Sequence, residues 1–123
     1  MAESFKKWQS QTGFDIKMTE AVVYSAKYGY AGAMDAVAYH EGKLVALDWK
    51  TSNGIYPEYA LQVAAYAKAL EEMTGEEVHE AWIVRLGKRA PEFEAKKVQD
   101  IETAFIAFRA ALYLWKSLKQ ELI

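Results

Sequence analysis

The chain has no cysteine among its 123 residues, only two histidines and two prolines, and no surplus of basic charge. Without cysteine there is no disulfide framework, thiolate zinc site or iron–sulfur cluster. The two histidines, His40 and His79, do not form a set that argues for zinc. No run reaches the ~18 apolar residues of a membrane helix, and the Met-Ala-Glu-Ser start lacks the basic and apolar regions of a signal peptide. An intracellular protein without membrane association is therefore expected, cytoplasmic, or in the host cytoplasm if viral. The net charge of −2, from 15 basic and 17 acidic residues, lacks the basic footprint common in nucleic-acid-binding domains. Local basic clusters are confined to Lys6-Lys7, Lys96-Lys97 and the segment from Arg85 to Lys88 and Arg89. What is present is ordinary: 52% hydrophobic and 26% charged residues, enough for one domain over residues 1–123 with a core that needs no staples.

Periodicity divides the chain into alternating elements. Phe5 and Trp8 anchor a short amphipathic helix from Ser4 to about Ser10. Ile16 to Ser25 is rich in strand formers, and Lys27-Tyr28-Gly29 is a turn before a second strand from Tyr30 to Tyr39. His40 to Lys43 is a tight hairpin connection, and Leu44 to Lys50 a third strand. The three strands are expected to form an antiparallel meander. Pro57 opens a helix running to about Met73, long enough to be a crossover, so the strand from Glu77 to Leu86 can lie parallel to the third. Gly87 to Pro91 reads as a turn, Glu92 to Val98 as a short strand, and Asp100 as the N-cap of a helix to about Lys119. In that last helix Ile101, Phe105, Phe108, Leu112 and Trp115 form a stripe expected to be core.

Chemistry concentrates between Tyr30 and Tyr66. On the third strand Val45, Leu47 and Trp49 share one face, while Leu44, Ala46, Asp48 and Lys50 share the other. A strand apolar on both faces is central in a sheet, and here one face ends in an acid and a base. Taken alone, Asp48-Trp49-Lys50 is explained by a structural ion pair at a strand end. Asp35 adds a second acid, set among Ala31, Gly32, Ala33, Met34, Ala36, Val37 and Ala38. A hairpin turn near Glu41-Gly42 pairs Leu44 with Tyr39 and brings Asp48 opposite Asp35. Two carboxylates so close repel unless a cation lies between them, and oxygen ligands suit Mg²⁺ or Mn²⁺. Gln62 lies within the apolar stripe Tyr59, Val63, Tyr66, Leu70, Met73, with Lys68, Glu71 and Glu72 opposite. Its amide either satisfies backbone groups of the preceding loop or, with Tyr66 one turn on, reaches the acids.

The ordered set Gly32-x-x-Asp35, Asp48-x-Lys50-Thr51 and Gln62-x-x-x-Tyr66 resembles the PD-(D/E)XK nuclease superfamily, in its RecB-like and phage-exonuclease branch. The resemblance implies a restriction-endonuclease-like α/β core, a mixed central sheet flanked by helices. It implies that Asp35, Asp48 and the carbonyl of Trp49 bind Mg²⁺ or Mn²⁺, that Lys50 positions or deprotonates the attacking water, and that Gln62 and Tyr66 order the site or hold the phosphate. Glu20 matches an early glutamate of the branch, although an exposed strand glutamate explains it equally well. The chain departs from the pattern at Met34, where the superfamily's name has proline. It also lacks the branch's frequent upstream histidine and the cysteine-bound cluster of some relatives. It reads as a minimal core.

The function implied is a Mg²⁺- or Mn²⁺-dependent deoxyribonuclease, an exonuclease of DNA processing, repair or recombination. The alternative is a nuclease-fold module that binds nucleic acid or a partner protein without cutting. Trp8, Trp115 and the aromatic-rich last helix offer contact surface for a homo-oligomer or a partner subunit, the alternative for that helix being the core.

Overall fold

Strands with apolar residues on both faces need cover on both sides, and the order of helices in the chain supplies it. The computed structural model describes residues 2–87 and 92–120. Residues 88–91, which carry the end of the expected basic segment and most of the expected turn, lie outside them. The elements are α1 (Ala2–Thr12), β1 (Asp15–Ser25), β2 (Tyr30–His40), β3 (Lys43–Lys50), α2 (Pro57–Thr74), β4 (Glu80–Leu86), β5 (Phe93–Lys97) and α3 (Ile101–Leu118). No described helix is long and apolar enough to cross a membrane.

The sheet has five strands in the order β1-β2-β3-β4-β5. The expected meander is present: β1 and β2 are antiparallel, as are β2 and β3. The α2 crossover makes β4 parallel to β3, and β5 closes the sheet antiparallel to β4. Strand β3 is therefore central. Leu44 and Ala46 face one apolar cluster, with Val63, Leu70 and Ile83. Val45 and Leu47 face the other, with Trp8, Phe14, Val84 and Leu86. Helix α1 covers the second face, and α2 covers the first.

Three expectations need correction. Strand β4 begins at Glu80 rather than Glu77, because the Val78 N–H is taken by the Glu71 carboxylate (2.9 Å). Trp8 is no contact surface: it is 1% exposed and meets Phe5, Phe14 and Trp49 edge-on or tilted. On the face of α2 bearing Lys68 and Glu71, α3 packs and Lys68 bonds both Glu71 and Glu102. Helix α3, conversely, is less a core element than its stripe implies. Phe105 alone of its described residues is buried, whereas Tyr113, Leu114, Trp115 and Leu118 are exposed. Its N-cap is as expected, with the Asp100 carboxylate accepting from the Thr103 N–H.

Because Trp8 fills the centre of the α1 layer, Trp8→Ala is expected to cost about 3–5 kcal/mol. Urea unfolding should show the loss as a lower midpoint at an unchanged slope.

Candidate active site

At its end β3 stays paired with β4 but loses its backbone partners on the β2 side, where a side chain takes over. Register pairs from His40↔Lys43 to Ala36↔Leu47 form the β2–β3 ladder, and continuing it sets Asp35 opposite Asp48 and Met34 opposite Trp49. The last of these rungs is not made through the backbone. Instead the Trp49 N–H donates to Asp35 Oδ2 at 2.8 Å, so the first acid ties down the strand that carries the second. Met34 joins the α2-side cluster and Ala36 the α1-side cluster, so the two-residue alternation slips at Asp35. Directly across β1 from Asp35 in register is Glu20, whose φ of 52° is left-handed. A non-glycine residue in that conformation is strained, and such strain gathers at functional sites.

Asp48 is 3% exposed, the one buried charged side chain among the described residues. Its carboxyl lies within hydrogen-bonding reach of Asp35, and burial first, then that neighbour, push its pKa up to about 7, against the opposing pull of Lys50. Lys50 Nζ stands 3.0 Å from Asp48 Oδ2. The direction of approach is not that of a hydrogen bond, and this oxygen accepts none from the described residues. We treat the contact as electrostatic, since the ammonium has other acceptors to satisfy. It donates to Gln62 Oε1 at 2.9 Å and lies 4.8 Å from the centre of the Tyr59 ring.

Gln62 passes the connection on, its Nε2 donating to the Tyr66 hydroxyl at 2.9 Å. The amide thus bonds Lys50 and Tyr66, and meets the acids only through the lysine. The Tyr66 ring lies on Gly32, where an added Cβ would sit 2.6 Å from Cε1. Gly32 is thus a glycine because a ring crosses it. Asp35, Asp48, Lys50, Gln62 and Tyr66 are brought into one contiguous chain of contacts. Glu20 is not: it is exposed, and no group of three or more histidine or acidic side chains that could hold a metal occurs among the described residues. Sequence reasoning missed Tyr59, whose place one turn before Gln62 was the available signal.

The donor set still fits a hard divalent cation. Two adjacent carboxylates, one with a buried oxygen that accepts no hydrogen bond from the described residues, are stabilised as anions by a cation. A cavity of about 770 Å³ lies elsewhere, at the opposite end of β3, lined by Lys43, Glu71, Glu80 and Asp100. Its charges are largely matched, Glu80 with Lys43 and Lys97 and Glu71 with Lys68, and it shares no residue with this site.

Two outcomes follow from the geometry. The raised pKa of Asp48 means the folded state favours its neutral form. Its contribution is fully present below pH ~4, near the unfolded pKa, and is lost as pH rises toward 7. Asp48→Asn, which removes the ionisation, should stabilise the metal-free protein at pH 8 and gain progressively less as pH falls to 4; thermal melts across that range measure it. Gly32→Ala should displace Tyr66 and release Gln62, lowering activity about 10-fold or more while costing ~1–3 kcal/mol of stability. Steady-state kinetics set beside urea unfolding separate the two effects.

Comparison with known proteins gives the family. Residues 1–122 match the profile of the PD-(D/E)XK nuclease superfamily. Over 52% of the chain it is 37% identical to one component of an ATP-dependent helicase/nuclease from Carboxydothermus hydrogenoformans, and over 48% it is 35% identical to human mitochondrial genome maintenance exonuclease 1. It spans 6% and 19% of those relatives' lengths. An alkaline exonuclease from Laribacter hongkongensis has the same fold, with a TM-score of 0.58 at 17% identity, over 96% of this chain and 68% of that one. With the profile matched over nearly its whole length, the chain belongs to the PD-(D/E)XK nuclease superfamily.

Proposed function

We propose that the chain is a Mg²⁺- or Mn²⁺-dependent deoxyribonuclease that shortens DNA from an end, in DNA processing, repair or recombination. The observation that carries the reading is the buried Asp48 oxygen, 3.0 Å from Lys50 and beside Asp35, without a hydrogen-bond donor among the described residues. A purely structural ion pair at this depth would be expected to satisfy both oxygens. Two names among the relatives, both exonucleases, support action at ends.

Asp35, Asp48 and the Trp49 carbonyl would hold the cation. Bound there, a divalent ion supplies the positive charge that a phosphodiester, shielded by its own negative charge, needs before water can attack. Lys50, 3.0 Å from Asp48, would orient that water as an ammonium, and would take its proton only after giving up one of its own to solvent. Gln62 fixes the lysine by accepting its hydrogen bond, and Tyr66 fixes Gln62. The reaction adds water across one P–O bond: the water oxygen bonds phosphorus, the leaving oxygen departs and acquires a proton. Tyr59, with its ring against the ammonium, limits the lysine's freedom.

Purified protein with Mg²⁺ or Mn²⁺ should shorten linear DNA and spare circular and end-blocked DNA, and a chelator should stop it. Lys50→Ala should lower the rate about 10²–10⁴-fold, and Asp48→Ala at least as much. Calorimetric Mn²⁺ binding should vanish in Asp35→Ala. A protein that shifts DNA on a gel but never cuts it with either metal would instead be a binding module.

A further inference from the structure

Beside the acids, on the far side of Gln62 and Tyr66, lies a second cavity of about 470 Å³. Four rings stand in its walls, Tyr30, Tyr59, Tyr66 and Phe108, from β2, α2 and α3. Tyr30 and Phe108 meet edge-on with ring centres 4.9 Å apart. The Tyr30 hydroxyl is anchored to the Ala65 carbonyl at 2.7 Å, so that wall is fixed before any ligand arrives. The cavity is continuous with the acid cluster through residues that line both. Tyr59 touches the Lys50 ammonium, and Gln62 accepts its hydrogen bond.

The lining chemistry selects its occupant. Aromatic rings beside the apolar side chains of Ala31, Leu61 and Ala65 suit a flat, neutral, weakly polar ring. The Gln62 amide is engaged at both ends, by Lys50 and Tyr66. The charged group on the lining is Glu58, an exposed carboxylate that repels a phosphate from this space. The backbone of a bound strand is thus held to the acid and lysine side, while a base can enter. A base within duplex DNA is stacked and paired and cannot enter without leaving the helix. A strand already unpaired has its base faces open.

Building on the nuclease reading above, we propose that this cavity receives one unpaired nucleobase next to the scissile phosphate. The chain then acts on single-stranded DNA or on the frayed end of a duplex. The grip is stacking, so it is indifferent to which base is held.

The test walks a single abasic nucleotide through a single-stranded oligonucleotide and measures kcat/KM with Mn²⁺ at each position. Stacking is worth ~1–3 kcal/mol per base, so removing the seated base should lower kcat/KM between about 5-fold and about 100-fold at one position only. The four bases at that position should agree within about 3-fold. In parallel, 2-aminopurine at the same position is followed by fluorescence in chelator, without turnover. It should be quenched on binding, and less so with Phe108→Leu, which keeps apolar bulk on α3 while removing a stacking face. Cleavage that ignores the abasic nucleotide at every position overturns the base site while leaving the nuclease reading intact. Quenching that depends on Phe108, without any metal-dependent cleavage, upholds the base site and defeats the nuclease reading. Neither quenching nor cleavage overturns both.

Discussion

Two carboxylates meeting at the buried end of a central strand set the terms for the rest of this structure. Moving one charge out of water costs several kcal/mol, and two like charges side by side add their repulsion. The protein meets this locally and incompletely. Lys50 stands against Asp48, and the Trp49 N–H neutralises part of Asp35, yet one Asp48 oxygen accepts no hydrogen bond from the described residues and its proton affinity is raised. Folding for stability alone would favour an apolar pair at these positions. That unmet demand for positive charge is what the proposed cation would answer.

The surrounding small residues follow from that demand. Helix α2 carries Gln62 and Tyr66 to the acids only if it can lie close to the sheet on one side and to α3 on the other. Ala64, Ala65, Ala67 and Ala69 are all buried there, so neither contact is held off by a long side chain. Gly32 extends the same logic to β2, where the Tyr66 ring occupies the space of a side chain. Close approach limits the apolar area that α2 can bury per residue. The opposite layer compensates, with Trp8, Phe14, Trp49 and Trp82 packed around α1.

Much of this was legible in the order of residues. The period-two alternation through β3 identifies a strand covered on both sides, and the hairpin at Glu41-Gly42 fixes the register that sets Asp35 against Asp48. The amide of Gln62 in an apolar stripe points to a buried partner, found in Lys50. What was not legible depends on breaks in those same periods. The left-handed turn of backbone at Glu20 and the slip at Asp35 violate strand alternation, so no periodic reading could place them. The exposure of Trp115 and the burial of Trp8 depend on which helix covers which face, a tertiary choice that two similar amphipathic stripes do not distinguish.

The position of the site is itself a consequence of topology. A chain that leaves the end of β3 and must return to start a parallel β4 has to cross back over one face of the sheet. The first turns of the crossing helix then start close to the end of the strand just left. In this chain that end holds Asp48 and Lys50, and those turns hold Tyr59, Gln62 and Tyr66. Parallel pairing of β3 and β4 thus does what no local propensity could: it brings a helix face to the one place in the sheet where backbone pairing has given way to carboxylates. An antiparallel β4 reached by a short turn would leave the same acids open to water, where a cation binds more weakly and the lysine has nothing to hold it. The crossover, more than any single residue, is what turns a costly strand end into a site.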